Sequence, residues 1–580
     1  MRVRAFAFPL LCCGFFLLAN LLIWPVVESG IADDWSIVRT AQLLAETGHV
    51  HYNGWEAPML GWPLYVAALV FRVFGFSFTA ARVTTMIEAT ATVFLMQRIF
   101  VRCGAGKWNS VLGTLALALS PIFVISTVTF ATDLPGLFAV IVCLYACLRA
   151  VQAGGERSAA GWICFAALAN AGLGTTRQIA WLGVIVMVPS AMWVLRRSRL
   201  VLAAGAASWM LSMGFIAAAL HWFKQQPYIL PEHLMLNRIQ LGSVPVALES
   251  LTRIGLDVVL LLLPVALSLL ASVGRVGRAE RIRFGGIVGV VLLGLIALVV
   301  FAKGNHLAPF LLYPYVTQTA ENTFLSFPMP LIGTPVLPPD FRIRILLTVA
   351  VMSGVAAIIV SLLLKRREPV LADEVLPWPN FLALTVPFGL AYLALLMPRA
   401  IFIFTIDRYL LFLLPIALLL LVRLYQSRVG PQLPKVCVVL LGLLGLYSVT
   451  TLHDAFATYR ADFAAVQEMR AAGVPRTAIS GGLEYNFTTE LLAGPYIHAG
   501  GIRRLDGTIE PGPKFSSAGP CSQVNIELTP VVQPTYVTAY PMSSCERANG
   551  FAPIRYSTWL PPFHREVEIV RYVYGVHVPE

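Results

Sequence analysis

The sequence predicts an all-α polytopic membrane protein of about thirteen transmembrane helices, with a small C-terminal α/β or α+β domain outside the membrane. Three observations predict this. Of 580 residues, 58% are hydrophobic and only 12% charged, and the mean hydropathy is +0.76. A soluble globular chain is about a quarter charged, so this chain cannot cover a water-facing surface. Long apolar runs recur from the N-terminus to about residue 450, separated by short basic turns. Beyond that point, 451–580 is rich in Pro, Gly, Tyr and charge and holds no spanning run.

The elements follow in order. Arg2 and Arg4 precede an apolar run from about Phe6 to Val27. It lacks a clean small-x-small cleavage site and reads as a retained first span with its basic end in the cytoplasm. In the polar stretch after Gly30, Ile37, Ala41 and Leu44 recur at helical spacing, which predicts a short amphipathic helix at the interface. Met59 to Phe74 is apolar but short for a span. Further spans are expected at 78–97, 109–128, 134–151, 159–176, 179–195, 200–220, 254–273, 285–303, 343–363, 379–398, 408–424 and 436–450. In the tail, 458–472 reads as a helix stopped by Gly473, and Thr477–Ser480 and Val567–Tyr574 read as strands.

Charge placement orients this threading. From a cytoplasmic start, the inner turns hold Arg98, Arg102 and Lys107; Arg149 and Arg157; Arg196, Arg197 and Arg199; Arg275, Arg278, Arg281 and Arg283; Lys365, Arg366 and Arg367; and Arg423, Arg428 and Lys435. Every such turn is basic, as the positive-inside rule requires. The segments 30–77, 221–253 and 304–342 and the tail 451–580 then lie outside, the tail in the periplasm. The same rule accounts for the net charge of +12, and no basic tract with interleaved aromatics suggests nucleic acid. No internal repeat of useful length occurs. Of nine cysteines, Cys521 and Cys545 are the pair in the polar tail, a candidate disulfide in an oxidising compartment.

Charges on the outer side need another explanation. Asp33 and Asp34 stand together just beyond the first span. Asp133, in TVTFATDLPG, lies at a span boundary, where an ionisable group is costly unless it is used or paired. It could also serve as a helix cap. Arg177, in LGTTRQIAW, interrupts apolar sequence and could pair with Asp133 or Asp34 or hold a phosphate. Lys303 and His306, in FAKGNHLAP, sit similarly, as do Asp407, Arg408 and Tyr409 in FTIDRYLLFLLP. Arg399 and Arg408 both break the inner bias of positive charge. Cations beside carboxylates at one membrane face suit an anionic lipid substrate; snorkelling and intramembrane ion pairs are the structural alternative.

DDWSIVRTAQLLAETGHV resembles the first outer loop of the GT-C glycosyltransferases of the ArnT, protein O-mannosyltransferase and Rgt-like superfamily, glycosyltransferase family 39-like. Asp33 stands where that family has Asp, and Asp34 where it has Glu. ATDLPG is similar to its second acidic motif, placing Asp133. FTIDRYLLFLLP is similar to its late motif, placing Arg408, Tyr409 and Pro415, and ISGGLEYNF to a motif after the last span. The resemblance covers about residues 1–450. One departure is Glu56-Ala57-Pro58-Met59, where the ArnT-like branch has Lys-Pro-Pro; it argues against an aminoarabinose or protein-mannosyl assignment.

The resemblance implies a GT-C fold and an inverting enzyme. A polyprenyl-phosphate sugar would be the donor, and a glycan, lipid or protein the acceptor, at the outer face of the cytoplasmic membrane. Asp33, Asp34 and Asp133 would form the catalytic set, with Asp33 as the base. Arg177, Lys303, Arg408 and Tyr409 would hold the donor phosphate, with His51, His306 and Arg399 as accessories. Metal dependence is open, since Asp33, Asp34 and His51 could bind a divalent cation; no other cofactor is expected. The rivals are a secondary transporter, which would place its charges near the midplane and show two similar halves, and a flippase or ligase of a lipid-linked substrate.

Overall fold

The computed structural model describes residues 4–230, 241–271, isolated positions between 282 and 294, 331, 341–363, 375–402, 407–497, 502–508, 528–541 and 545–572. The first half runs α1 (Arg4–Ile23), α2 (Asp34–Thr47), α3 (Gly61–Phe74), α4 (Phe78–Arg102), α5 (Lys107–Ala118), α6 (Pro121–Thr127), α7 (Asp133–Val151) and α8 (Glu156–Leu173). After two 3₁₀ turns and a π-turn come α9 (Val188–Val194), α10 (Arg199–Lys224), α11 (Val244–Leu261) and α12 (Leu263–Ser268). Then follow α13 (Phe341–Leu363), α14 (Trp378–Phe402), α15 (Leu414–Arg428), α16 (Val436–Ala471) and α17 (Gly482–Ala493).

The expected thirteen spans are not found. Among the described residues, five helices are long and apolar enough to cross a membrane, or up to seven if each of two bent pairs is one span. The five are Phe6–Ile23, Asp133–Val151, Arg199–Lys224, Trp378–Phe402 and Val436–Ala471. The physical reasons are local. The run 109–128 bends by 63° at Ser120-Pro121, and 254–273 by 79° just before Pro264; a proline removes a helical N–H and clashes with the preceding turn. The run 179–195 breaks into 3₁₀, π and α turns. The run 408–424 opens with a 3₁₀ turn, leaving a helix of 15 residues. Helix α4 carries the buried charged residues Arg82 and Glu88. The expected span 285–303 lies largely outside the described residues. What remains is an all-α multi-pass membrane protein with a small C-terminal sheet domain.

The amphipathic helix expected after Gly30 is α2, which buries Trp35, Ile37, Val38, Ala41 and Leu44. Gly48 ends it at φ 79, and its N–H bonds to Leu44 O, a left-handed closure that glycine adopts without a Cβ penalty. Among the described residues, the basic turns around Arg102, Arg149 and Arg423 meet at one end of the bundle. There Arg102 donates to Gln152 Oε1 at 3.0 Å, Arg423 to Cys103 O at 2.9 Å, and Asn109 to Pro431 O at 3.0 Å. The other end carries the start of α7, the end of α8 and the start of α15.

Helix α16 runs for 36 residues, continuing through position 450 into the C-terminal domain, and includes the helix expected at 458–472. On its far half sits a four-stranded sheet of order β1-β2-β4-β3: β1 (Ile479–Ser480), β2 (Tyr536–Ala539), β3 (Ile554–Ser557) and β4 (His564–Arg571). β1 pairs parallel with β2; the other two pairings are antiparallel. Asp454 on α16 accepts the backbone N–H groups of Trp559 and Leu560 at 2.7 and 2.9 Å, fastening the β3–β4 turn to the helix. Cys545 is disulfide-bonded, and its expected partner Cys521 lies outside the described residues.

Candidate active site

At the end of the bundle opposite the basic turns, four separated segments converge. The loop before α2 carries Asp33, the start of α7 carries Asp133, the junction of two 3₁₀ turns carries Arg177, and the 3₁₀ turn before α15 carries Arg408. Arg408 Nη1 donates to Asp33 Oδ2 at 2.7 Å, and Arg177 Nη1 donates to Asp133 Oδ1. The second oxygen of Asp33 accepts the indole N–H of Trp55 at 3.1 Å. Burial pushes the Asp33 carboxyl up, but the Arg408 guanidinium and the Trp55 bond outweigh it and hold it below the usual range. Asp33 is therefore an anion at neutral pH, and this pairing weakens only as pH falls through the lowered value.

Tyr409 stands at the centre of the cations. The guanidinium carbons of Arg399, Arg177 and Arg408 lie 5.0, 5.5 and 5.9 Å from its ring centroid. Three like charges gather there because the ring face and the two carboxylates offset their repulsion. Tyr392 fixes the turn by donating its hydroxyl to Tyr409 O at 2.6 Å. Helix α7 can approach because Gly136 has no side chain: a Cβ there would meet Phe412 at 3.0 Å.

Asp34 points the other way. It is fully buried and accepts from Arg82 Nε at 2.9 Å and from Ile31 N at 2.7 Å. Arg82 also donates to Val27 O and Ser29 O, so it ties the end of the first span to the loop. His51 is exposed on the α2–α3 connection, where its carbonyl accepts from Thr40. Lys303 and His306 lie outside the described residues. Among the described residues, no group of three or more His, Cys, Asp or Glu could hold a metal ion.

Three contributors were not given roles from sequence. Arg82 is a lone cation at the head of an apolar helix, a signal that was available. Glu56 lies in the same corner as Asp33, Arg408, Arg177 and Asp133, and its charge is affected by all four. Glu484, inside the quoted ISGGLEYNF, reaches back from the C-terminal domain. Its Oε1 accepts from Ala32 N and from Tyr459 OH, both at 3.2 Å. Ala32 has φ 52, an uncommon backbone for a non-glycine residue, so the turn that presents Asp33 is held from outside. Phe487, one turn along α17, packs on Trp35 and Trp55 with ring centroids 4.7 and 4.8 Å apart.

Residues 56–222 match the family model described as dolichyl-phosphate-mannose-protein mannosyltransferase. No curated protein is significantly similar to the chain. Among solved structures, it is similar to the S. cerevisiae protein O-mannosyltransferase Pmt1-Pmt2 complex bound to the sugar donor, at 14% identity and TM-score 0.32, covering 37% of this chain and 32% of that one. It is also similar to ArnT from Cupriavidus metallidurans in the apo state, at 13% identity, TM-score 0.41 and 98% coverage of both chains. The same protein bound to undecaprenyl phosphate gives 13% identity, TM-score 0.38 and 98% and 99% coverage. Likeness at this level is too slight to carry a residue or a substrate from one chain to another.

Proposed function

We propose that this protein is an inverting glycosyltransferase that moves a sugar from a polyprenyl-phosphate carrier to an acceptor hydroxyl at the outer face of the cytoplasmic membrane. The observation that carries this reading is the convergence of two ion pairs, Asp33–Arg408 and Asp133–Arg177, around one tyrosine, with Arg399 as a third cation. The match of residues 56–222 to a mannosyltransferase family model supports it. The orientation rests on the described basic turns around Arg102, Arg149 and Arg423 at the opposite end, which the positive-inside rule assigns to the cytoplasm.

In this reading the lipid phosphate enters among Arg177, Arg399 and Arg408. A guanidinium suits it, because its fork matches phosphate oxygens. Phosphate binding draws Arg408 away from Asp33. That carboxylate loses its counterion and becomes a better base just when the donor is in place. Asp33 takes the proton of the acceptor hydroxyl. The acceptor oxygen forms a bond to the anomeric carbon from the side opposite the phosphate. The bond from that carbon to the phosphate oxygen breaks, and polyprenyl phosphate leaves with the electron pair, its charge met by the three arginines. One attack with one base inverts the anomeric centre. Asp133 positions Arg177, and Asp34 anchors the loop. The group transferred is a hexosyl or pentosyl unit.

The test is transfer from polyprenyl-phosphate sugars in purified membranes. Asp33→Asn should lower transfer by about 10²–10⁴-fold, the usual worth of a general base, at unchanged folded yield. Near-normal transfer by this variant would end the assignment.

A further inference from the structure

Asp33 and Asp133 each face an arginine, but the third carboxyl of this corner does not. Among the described residues, Glu56 makes no ion pair, and its Oε1 is sealed from solvent with no hydrogen-bond partner. The residue as a whole keeps part of its surface exposed. Its place is fixed from both sides. On one side Trp55 donates to Asp33 at 3.1 Å. On the other, Gln178 beside Arg177 reaches Ala57 O at 3.5 Å, and Trp62 donates to Leu173 O at 3.0 Å. The segment 55–57 thus bridges the Arg408–Asp33 pair to the Arg177 turn, and Glu56 is its middle residue.

We propose that Glu56 binds a hydroxyl of the glycosyl group carried by the donor, and so discriminates the glycosylated lipid from the bare one. The inference rests on the glycosyltransferase reading above. A phosphate held between Arg177 and Arg408 places its glycosyl substituent against the segment that bridges those arginines. A buried polar atom without a partner costs about 1–3 kcal/mol, which a ligand hydroxyl would relieve.

The protonation state suits that task. Burial and the nearby Asp33 and Asp133 push the carboxyl up, Arg408 and Arg177 pull it down, and the balance stands at about 8. Glu56 is then a neutral acid at pH 7. A carboxylic acid offers both an O–H donor and a carbonyl acceptor, the same pair that a sugar hydroxyl presents. A neutral Glu56 also leaves the described corner with three arginines against two carboxylates, a surplus positive charge for an incoming phosphate.

The probes are short-chain polyprenyl phosphate, bare or carrying mannose, glucose or arabinose, titrated against detergent-purified full-length protein. The readout is the ratio of affinities, glycosylated over bare, which does not depend on folded yield. Wild type should prefer at least one glycosylated probe. Glu56→Ala should lower that ratio about tenfold, the worth of two neutral hydrogen bonds. Glu56→Gln, still a donor and an acceptor, should hold it within about twofold. Above pH 8 the wild-type ratio should fall as the acid ionises, and that of Glu56→Gln should stay level. An unchanged ratio in Glu56→Ala, or a wild-type ratio of one for every sugar, would overturn the inference and leave the donor reading standing. Failure of wild type to bind even the bare lipid would remove both.

Discussion

Asp33 and Asp34 are neighbours in sequence, and each meets one arginine, yet they belong to different parts of the molecule. The Asp34–Arg82 side chains are 0% and 1% exposed; those of Asp33–Arg408 are 27% and 32%. The inner pair is also braced by backbone groups on both sides, and in the outer pair Asp33 takes a side-chain bond from the Trp55 indole. A sealed pair cannot exchange partners without leaving a bare charge in the interior. A half-open pair can give its arginine to a ligand. Burial, rather than residue type, therefore separates an anchor from a working group here.

The inner pair gives the largest expected effect. Asp34→Asn or Arg82→Met alone leaves its partner buried and uncompensated, which costs about 3–5 kcal/mol and should show as lost folded yield. Replacing both with apolar residues of similar size should recover much of that yield. If Asp34→Asn folds normally and loses transfer as Asp33→Asn does, the contrast between the two carboxylates collapses.

The outer pair should behave differently. Arg408→Ala is expected to fold, and to bind polyprenyl phosphate more weakly by about 1.5–3 kcal/mol, the worth of a charge-assisted bond. Arg408→Lys should fall between, because an ammonium matches the phosphate less well than a guanidinium. Unchanged affinity in Arg408→Ala, measured by titration in detergent, would take this residue out of the site.

A smaller effect should come from the C-terminal domain. Glu484→Ala removes the acceptor that holds Ala32 and Tyr459, and should lower transfer per folded molecule about three- to tenfold. Burial pushes the Glu484 carboxyl up to about 8, so it acts as a neutral acid, and Glu484→Gln should restore transfer by keeping the Oε1 acceptor. Equal loss in both variants would mean that the charge matters, and not the bond to Ala32.

The sequence showed the membrane class, the amphipathic α2 and two of the four tail strands, β1 and β4, because those follow from local composition and period. It did not show the span count. The breaks at Pro121 and Pro264 are local, but hydropathy averages over them, and the burial of Arg82 and Glu88 depends on how helices pack. The two ion pairs were only half legible. Arg177 was offered both Asp133 and Asp34 as partners, and nothing local separates two carboxylates that are far away in sequence. Arg408 meets Asp33 across 375 positions, a contact that only the fold makes. Glu484 was in view within a quoted motif, but its target, the N–H of Ala32, lies 452 residues earlier.

The central claim is that Arg408 leaves Asp33 for the donor phosphate. It is tested most directly by titrating polyprenyl phosphate against wild type and Asp33→Asn. Removing the carboxylate frees the arginine from competition. The variant should therefore bind the lipid more tightly, by up to about fivefold, the worth of a partly exposed ion pair, although it no longer transfers sugar. Binding equal to or weaker than wild type would contradict the exchange and with it the role given to this pair.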